Sequence, residues 1–226
     1  MILSVHIADV GWRAAAGVLR RKPDPAKFPG LIYAETTATA PLGGSLLPSP
    51  QPGRVALVAA WESDEALDKF SAGSSLARRF ASGWQVRLQP LHVYGAWSGL
   101  PGLPAEEVPA GDGEPVAVLT IGRLRLRRVR PFLRASARAE GEAVTDPAMT
   151  ASIGLARPPR LVATFSIWKD TEGMREYARG RRDGAHPAAT AQHRADPFHH
   201  ESAFIRFRPY SSRGSWDGRD PLAAAG

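Results

Sequence analysis

The chain contains no cysteine, and that one absence removes disulfides, zinc-finger and iron–sulfur ligation, a thiolate-bound heme and every cysteine nucleophile. No apolar run approaches the roughly 18 residues that a membrane-crossing helix needs. The N-terminal MILSVHIADVGWR lacks a basic stretch followed by a long apolar one, so no secretory signal is expected. Neither HExxH nor a 2-His-1-carboxylate spacing occurs, which argues against a mononuclear zinc or non-heme iron enzyme. Lysine is scarce as well, 4 residues against 25 arginines. These absences together predict a cytoplasmic protein, with a peripheral position at a membrane as the alternative.

What the sequence does contain is a globular composition. Its 226 residues, 43% of them hydrophobic, can bury a real core. The formal charge is +7, and the densest basic stretch is RLRLRRVRPFLR, residues 123–134. Arg123, Arg125 and Arg127 alternate there with Leu124 and Leu126, the period of a half-buried strand that leads into a helix. Nucleic-acid binding would call for interleaved aromatic side chains, and this run offers only Phe132, so no nucleic-acid partner is expected.

The organisation is a duplication. RVALVAAWESDEALDKF (54–70) and RLVATFSIWKDTEGMREY (160–177) each give an apolar strand ending in Trp, then an acidic start to an amphipathic helix. LSVHI (3–7) pairs with AVLTI (117–121), and Gly-x-Trp-x-Gly occurs at 95–99 and again at 214–218. The three offsets are 114, 107 and 119 residues, so loops differ while the order of elements holds. The expected domains are therefore an N-terminal repeat, 1–100, a Pro/Gly/acid-rich linker, 101–115, and a C-terminal repeat, 116–226. Copy two reads as strand 116–126, helix 128–139, strands 148–155 and 160–168, helix 171–179 with a continuation from 187, and strand 202–209. That order is the split βαβ pattern. The fold class is α+β: two tandem ferredoxin-like repeats forming a dimeric α/β barrel within one chain.

Four of the six histidines, His186, His193, His199 and His200, lie within fifteen residues. On a helix His186 and His193 would be about 10.5 Å apart along the axis, too far to share one ion. A heme asks for only one imidazole, because the porphyrin supplies four ligands. His186 precedes Pro187, which suits a helix start, and a helix start keeps an imidazole neutral and able to bind iron. Copy one has SSLARRF (74–80) at the matching place, without histidine. The residues alone leave two readings of His186 open, an iron ligand and an exposed helix-start side chain.

EPVAVLTIGRLR, LVATFSIWKD, the segment through DGAHP, and YSSRGSWDGRDPLAAA resemble the spheroidene monooxygenase family, the acyclic carotenoid ketolases. The resemblance is densest over 114–226 and weaker over 1–100, where WESDEA and YGAWSG carry it. It implies a heme b-dependent monooxygenase on a dimeric α/β-barrel scaffold, active in carotenoid biosynthesis or on another apolar small molecule. Dioxygen and an external electron donor such as a ferredoxin with its reductase would complete the reaction, and a homo-oligomer is compatible with the family. The alternatives are a non-catalytic heme-binding or trafficking protein and a cofactor-free barrel monooxygenase. The resemblance places His186 as the iron ligand, with His193 as the fallback.

The same half is similar to the heme-degrading monooxygenases of this superfamily, in which an aromatic residue precedes the ligand on its helix. Tyr177, nine residues before His186, fits that place. Those enzymes also carry an Asn on the first strand where this chain has Gly122, a departure that speaks against heme degradation. Arg179, Arg181 and Arg182 suit the heme propionates, because guanidinium pairs with carboxylate bidentately. Phe165 and Ser166 lie on opposite faces of strand 160–168, one of which should line the barrel. Tyr177, Ser166 and Arg213 are the catalytic candidates, and Phe165 a cofactor contact.

Overall fold

The computed structural model describes residues 1–20, 22–43, 49–111, 113–179 and 198–223. Eight strands close into an antiparallel barrel. In chain order they are β1 (Ile2–Asp9), β2 (Leu31–Ala40), β3 (Arg54–Trp61), β4 (Trp84–Gly95), β5 (Val116–Leu124), β6 (Met149–Arg157), β7 (Leu161–Trp168) and β8 (His199–Arg213). Around the barrel they run β1-β3-β2-β6-β7-β5-β8-β4. Each half is thus a four-stranded sheet of the ferredoxin-like order, β4-β1-β3-β2 and β8-β5-β7-β6, and the two sheets meet edge to edge. The chain is a tandem pair of such repeats closed into one barrel.

Period-two alternation decides which side chains point inward. Leu3, Val5 and Ile7 of β1, Trp84, Val86 and Leu88 of β4, Ala163, Phe165 and Ile167 of β7, and Ala203, Ile205 and Phe207 of β8 all join one interior cluster. Both halves contribute to that core, and neither could bury its inward face alone.

Helices cover the outside: α1 (Trp12–Arg20), α2 (Asp64–Gly73) and α3 (Ser75–Phe80) over the N-terminal sheet, α4 (Val129–Ala143) and α5 (Thr171–Arg179) over the C-terminal one. Their starts follow capping chemistry. Ser63 Oγ accepts from Ala66 N–H ahead of α2, Ser74 Oγ accepts from Leu76 and Ala77 N–H ahead of α3, and Asp170 Oδ1 accepts from Gly173 N–H at 2.7 Å ahead of α5. Most boundaries fall within two residues of expectation, with β5 ending at 124 rather than 126 and β6 running 149–157 rather than 148–155, and two elements differ more. α4 runs to Ala143 rather than 139, and β8 extends from 199 to 213 rather than 202 to 209. β8 is long because it serves both halves, pairing with β5 through residues 199–207 and with β4 through 203–213. The expected helix continuation from 187 lies outside the described residues.

Two seams join the halves, and they are unequal. β4 and β8 match over ten residue pairs, whereas β2 and β6 match over three among the described residues, Ala38–Ala156, Thr39–Leu155 and Ala40–Gly154. Past the short seam, Arg157 donates to the Thr36 carbonyl at 3.0 Å and to Thr36 Oγ1 at 2.7 Å. Its Nε also lies 3.2 Å from the buried Glu35, which pairs with Lys22 as well. Side chains therefore bridge where the ladder stops.

Candidate functional site

The outer faces of the two sheets are built to different ends. Across the N-terminal sheet, Thr36, Leu57, His6 and Gln85 are successive partners on β2, β3, β1 and β4. This row is sealed: Thr36, Leu57 and His6 are 0%, 1% and 3% exposed. The His6 ring meets Phe70 of α2 and Phe80 of α3 edge-on, at 6.5 and 5.9 Å between centroids. Trp61 Nε1 donates to Ser4 Oγ at 2.9 Å, and Ser4 Oγ lies 3.0 Å from His6 Nε2. Burial, helped by the positive charge of Arg87, lowers the His6 pKa to about 4, so the ring is neutral at ordinary pH.

The corresponding row of the C-terminal sheet is Gly154, Thr164, Thr120, Phe204 and Tyr94, partners in turn on β6, β7, β5, β8 and β4. None of the five is buried, and Thr120 and Tyr94 are exposed. Thr120 occupies the place that His6 fills in the other half, at the 114-residue offset that relates the two first strands. Among the described residues, the small side chains of Gly154, Thr164 and Thr120 leave this part of the row open, where the N-terminal sheet carries a ring clamped under two phenylalanines. With neighbouring strands about 4.8 Å apart, a row across five strands is ~19 Å long.

Helix α4 is held near both ends of this face. Towards its N-terminus, Phe132 stands edge-on to His199 at 5.2 Å and to Phe198 at 6.1 Å. The His199 ring in turn lies against Gly122 on β5, where a Cβ would come within 2.4 Å of His199 Cδ2 and 2.7 Å of Nε2. Only a glycine lets that imidazole lie on the sheet. Further along, Tyr177 of α5 donates its hydroxyl to the Ala139 carbonyl of α4 at 3.0 Å and stacks at a tilt on Trp168 at 5.0 Å. Burial, then the negative charges of Glu142, Glu140 and Asp146, raises the Tyr177 pKa, so the phenol stays protonated. The open row lies between these two props.

The residues singled out in the sequence fall into distinct places. Ser166 and Tyr177 are on this outer side beside Trp168, and Trp168 Nε1 donates to Ser166 Oγ at 2.9 Å, the counterpart of the Trp61–Ser4 bond. Phe165 is fully buried in the barrel interior, on the other side of the same strand, so it and Ser166 do not share a cavity. The face of β7 that turns into the barrel is that of Ala163, Phe165 and Ile167. Arg213 is exposed at the far end of β8, opposite Gln85 of the N-terminal half, and does not join the cleft. Arg179 closes α5. Arg181, Arg182, His186 and His193 lie outside the described residues.

Neither Thr120 nor His199 is among the catalytic and ligand candidates that the sequence offers. The duplication carried the signal for Thr120, because it aligns that residue with His6, whereas the approach of His199 to Gly122 follows from the pairing of β8 with β5. Among the described residues no three His, Asp or Glu side chains gather as a metal site. A shallow pocket of about 240 Å³ at the other end of the barrel is bordered by Asp9, Arg54 and Asp217, and Arg54 is already paired with both carboxylates at 2.8 and 2.6 Å.

No protein-family model matches the chain. A spheroidene monooxygenase of Rubrivivax gelatinosus is 31% identical over 196 residues, which cover 84% of this chain and 73% of that protein. The chain belongs to the spheroidene monooxygenase family. The family member from Rhodobacter capsulatus is 29% identical over 227 residues, 96% of this chain and 91% of its own length. With the Cereibacter sphaeroides protein the match, 29% over 189 residues, covers 81% of this chain and only 57% of that longer relative. Among solved structures, an aldoxime dehydratase superposes over 98% of this chain and 86% of its own with a TM-score of 0.57 at 9% identity, a likeness of fold alone.

Proposed function

We propose that this member of the family is a heme-dependent monooxygenase whose site is the open outer face of the C-terminal sheet. The observation that carries the reading is the contrast between the two faces: His6 under Phe70 and Phe80 closes one, and Thr120 leaves the other open. The residues present suit a flat prosthetic group. The floor is small at Gly154, Thr164 and Thr120, α4 is tied at its two ends through Phe132 and Ala139, and Gly122 cradles an imidazole at the edge. A protein ligand set of one imidazole is enough for a porphyrin-bound iron. Heme, when bound, supplies the iron that activates dioxygen.

The chain's own groups do the rest. His186 is the proposed ligand, with His193 as fallback and His199 now a third imidazole beside the cleft. Arg179, Arg181 and Arg182 are proposed to meet the propionates. Thr120 and Thr164 hold a hydroxyl each on the floor, able to orient a water or pass a proton at Oγ1. Phe204 and Tyr94 give one end of the row an apolar lining that keeps solvent from an apolar substrate. Ser166 and Tyr177 act by position rather than by chemistry, because Ser166 holds Trp168 and Tyr177 pins α5 to α4. The relatives' name points to an acyclic carotenoid as substrate, and a row ~19 Å long accommodates an extended stretch of polyene. Electrons come from an external donor.

The test is an absorption titration of the purified protein with hemin, on wild type, Thr120→Trp, His186→Ala and His199→Ala. A Soret band that wild type forms, that Thr120→Trp blocks and that one imidazole variant loses or shifts supports the reading. Absence of heme binding in wild type, or binding indifferent to all three substitutions, overturns it.

A further inference from the structure

We infer that the exposed basic segment at the start of α4 docks the protein on an anionic lipid bilayer, with Leu126 inserted at the interface. Arg125, Arg127, Arg130 and Arg134 are all exposed, and Leu126, in the short 3₁₀ turn Leu126–Arg128, stands among them 53% exposed. No acidic residue occurs between Arg123 and Ala139. At this end of the barrel Glu201 is already taken by Arg123 and by the Ser98 N–H. Arg125 Nε donates to the His199 carbonyl at 3.1 Å, which fixes the root of the segment to β8.

Contacts among the described residues do not explain this composition. The first turn of α4 carries no acid and does carry Arg130, the opposite of what the positive end of a helix dipole favours, at roughly 0.3–1 kcal/mol for each misplaced charge. An exposed leucine amid like charges covers no core and gains nothing in water. Both features become favourable at once against a surface that presents negative headgroups above an apolar layer. There each arginine gains about fivefold in partitioning and a leucine can shed its hydration. Duplex or single-stranded nucleic acid would satisfy the arginines but offers Leu126 nothing. The ring that stacking would need, Phe132, is engaged with Phe198 and His199. The docked edge is also the end of the cleft held by Phe132, so an apolar molecule in the bilayer would meet the cleft without crossing water. The docking itself does not depend on the cofactor or the reaction.

The experiment is flotation of the full chain with vesicles of phosphatidylcholine alone and of phosphatidylcholine with phosphatidylglycerol, at low and high salt. Wild type should float with the anionic vesicles only and be released by salt. Arg127→Ala with Arg130→Ala should weaken partitioning about 25-fold, two steps of fivefold. Leu126→Asp should weaken it at least tenfold at unchanged arginine content, and no variant should melt below wild type, because the altered side chains are exposed and Arg130→Ala removes a charge that the helix dipole disfavours. Equal flotation with both vesicle types, or flotation unaffected by Leu126→Asp, refutes the docking. An oligonucleotide that binds more tightly than the anionic vesicles, losing affinity with the two arginines but not with Leu126→Asp, refutes it in favour of a nucleic-acid surface.

Discussion

Replacing Gly122 by alanine tests the packing at the edge of the cleft most sharply, because two effects of opposite sign compete there. In an ordinary strand, glycine to alanine stabilises by roughly 0.5–1 kcal/mol, since the unfolded chain loses freedom. Here the new methyl would sit 2.4 Å from His199 Cδ2, well inside van der Waals contact, and the ring is hemmed by Phe132 and Phe198. Overpacking of this kind costs about 1–3 kcal/mol, so the clash wins and the variant is destabilised by roughly 0.5–2 kcal/mol. For a chain of this size that lowers Tm by about 1–8 °C, read by calorimetry or urea titration. His199→Ala should then rescue: with the ring gone, the methyl has room, and Gly122→Ala becomes neutral or stabilising in that background. The double-mutant cycle should give a coupling of about 1–3 kcal/mol, the clash itself. A stabilised single variant, or additive effects in the cycle, would show that His199 does not lie against Gly122.

Three further outcomes follow from the asymmetry of the two faces. Thr120→Trp should abolish ligand binding in the cleft while leaving Tm within a few degrees, because the side chain enters open space; hemin titration and a melting curve check it together. Burial lowers the His6 pKa from the 6.5 of an exposed imidazole to about 4 in the folded chain. Its contribution is therefore complete above pH 6.5 and is lost as pH falls towards 4, amounting to about 3 kcal/mol. Urea unfolding at pH 7 and pH 4.5 should show this loss, and His6→Gln should flatten it. Ser4→Ala leaves the buried Trp61 N–H without its acceptor and should cost about 1–3 kcal/mol by the same measurement; a loss below 0.5 kcal/mol would contradict that bond.

Periodicity and repetition carried most of the architecture. Alternating apolar residues marked the strands, and paired landmarks such as Trp61 with Trp168 marked the two repeats, because inward faces must be apolar whichever half they belong to. Boundaries were harder where an element answers to both halves: nothing local in residues 199–213 says that β8 must reach far enough to pair with β4. The site was harder again. Ser166 and Phe165 attracted notice as side chains, yet what distinguishes the cleft is an omission, a threonine at 120 and a glycine at 122 where bulk would seal the sheet. Omissions leave little trace in a single sequence unless a second copy shows what was left out. His6 is that second copy's answer. Tyr177 was chosen for its ring and is held by its hydroxyl, a bond to α4 that no spacing rule encodes.

Two separate, identical subunits would be bound by rotational symmetry to make both of their junctions alike. Covalent continuity lifts that obligation, and this chain uses the freedom: ten matched pairs weld one side, and three described pairs with the Arg157 bridge clasp the other. The ring of strands therefore has a preferred place to part, where the fewest ladder bonds need to break. The clasp includes Gly154, the same residue that starts the open row, so small excursions of the barrel are felt first at one end of the cleft.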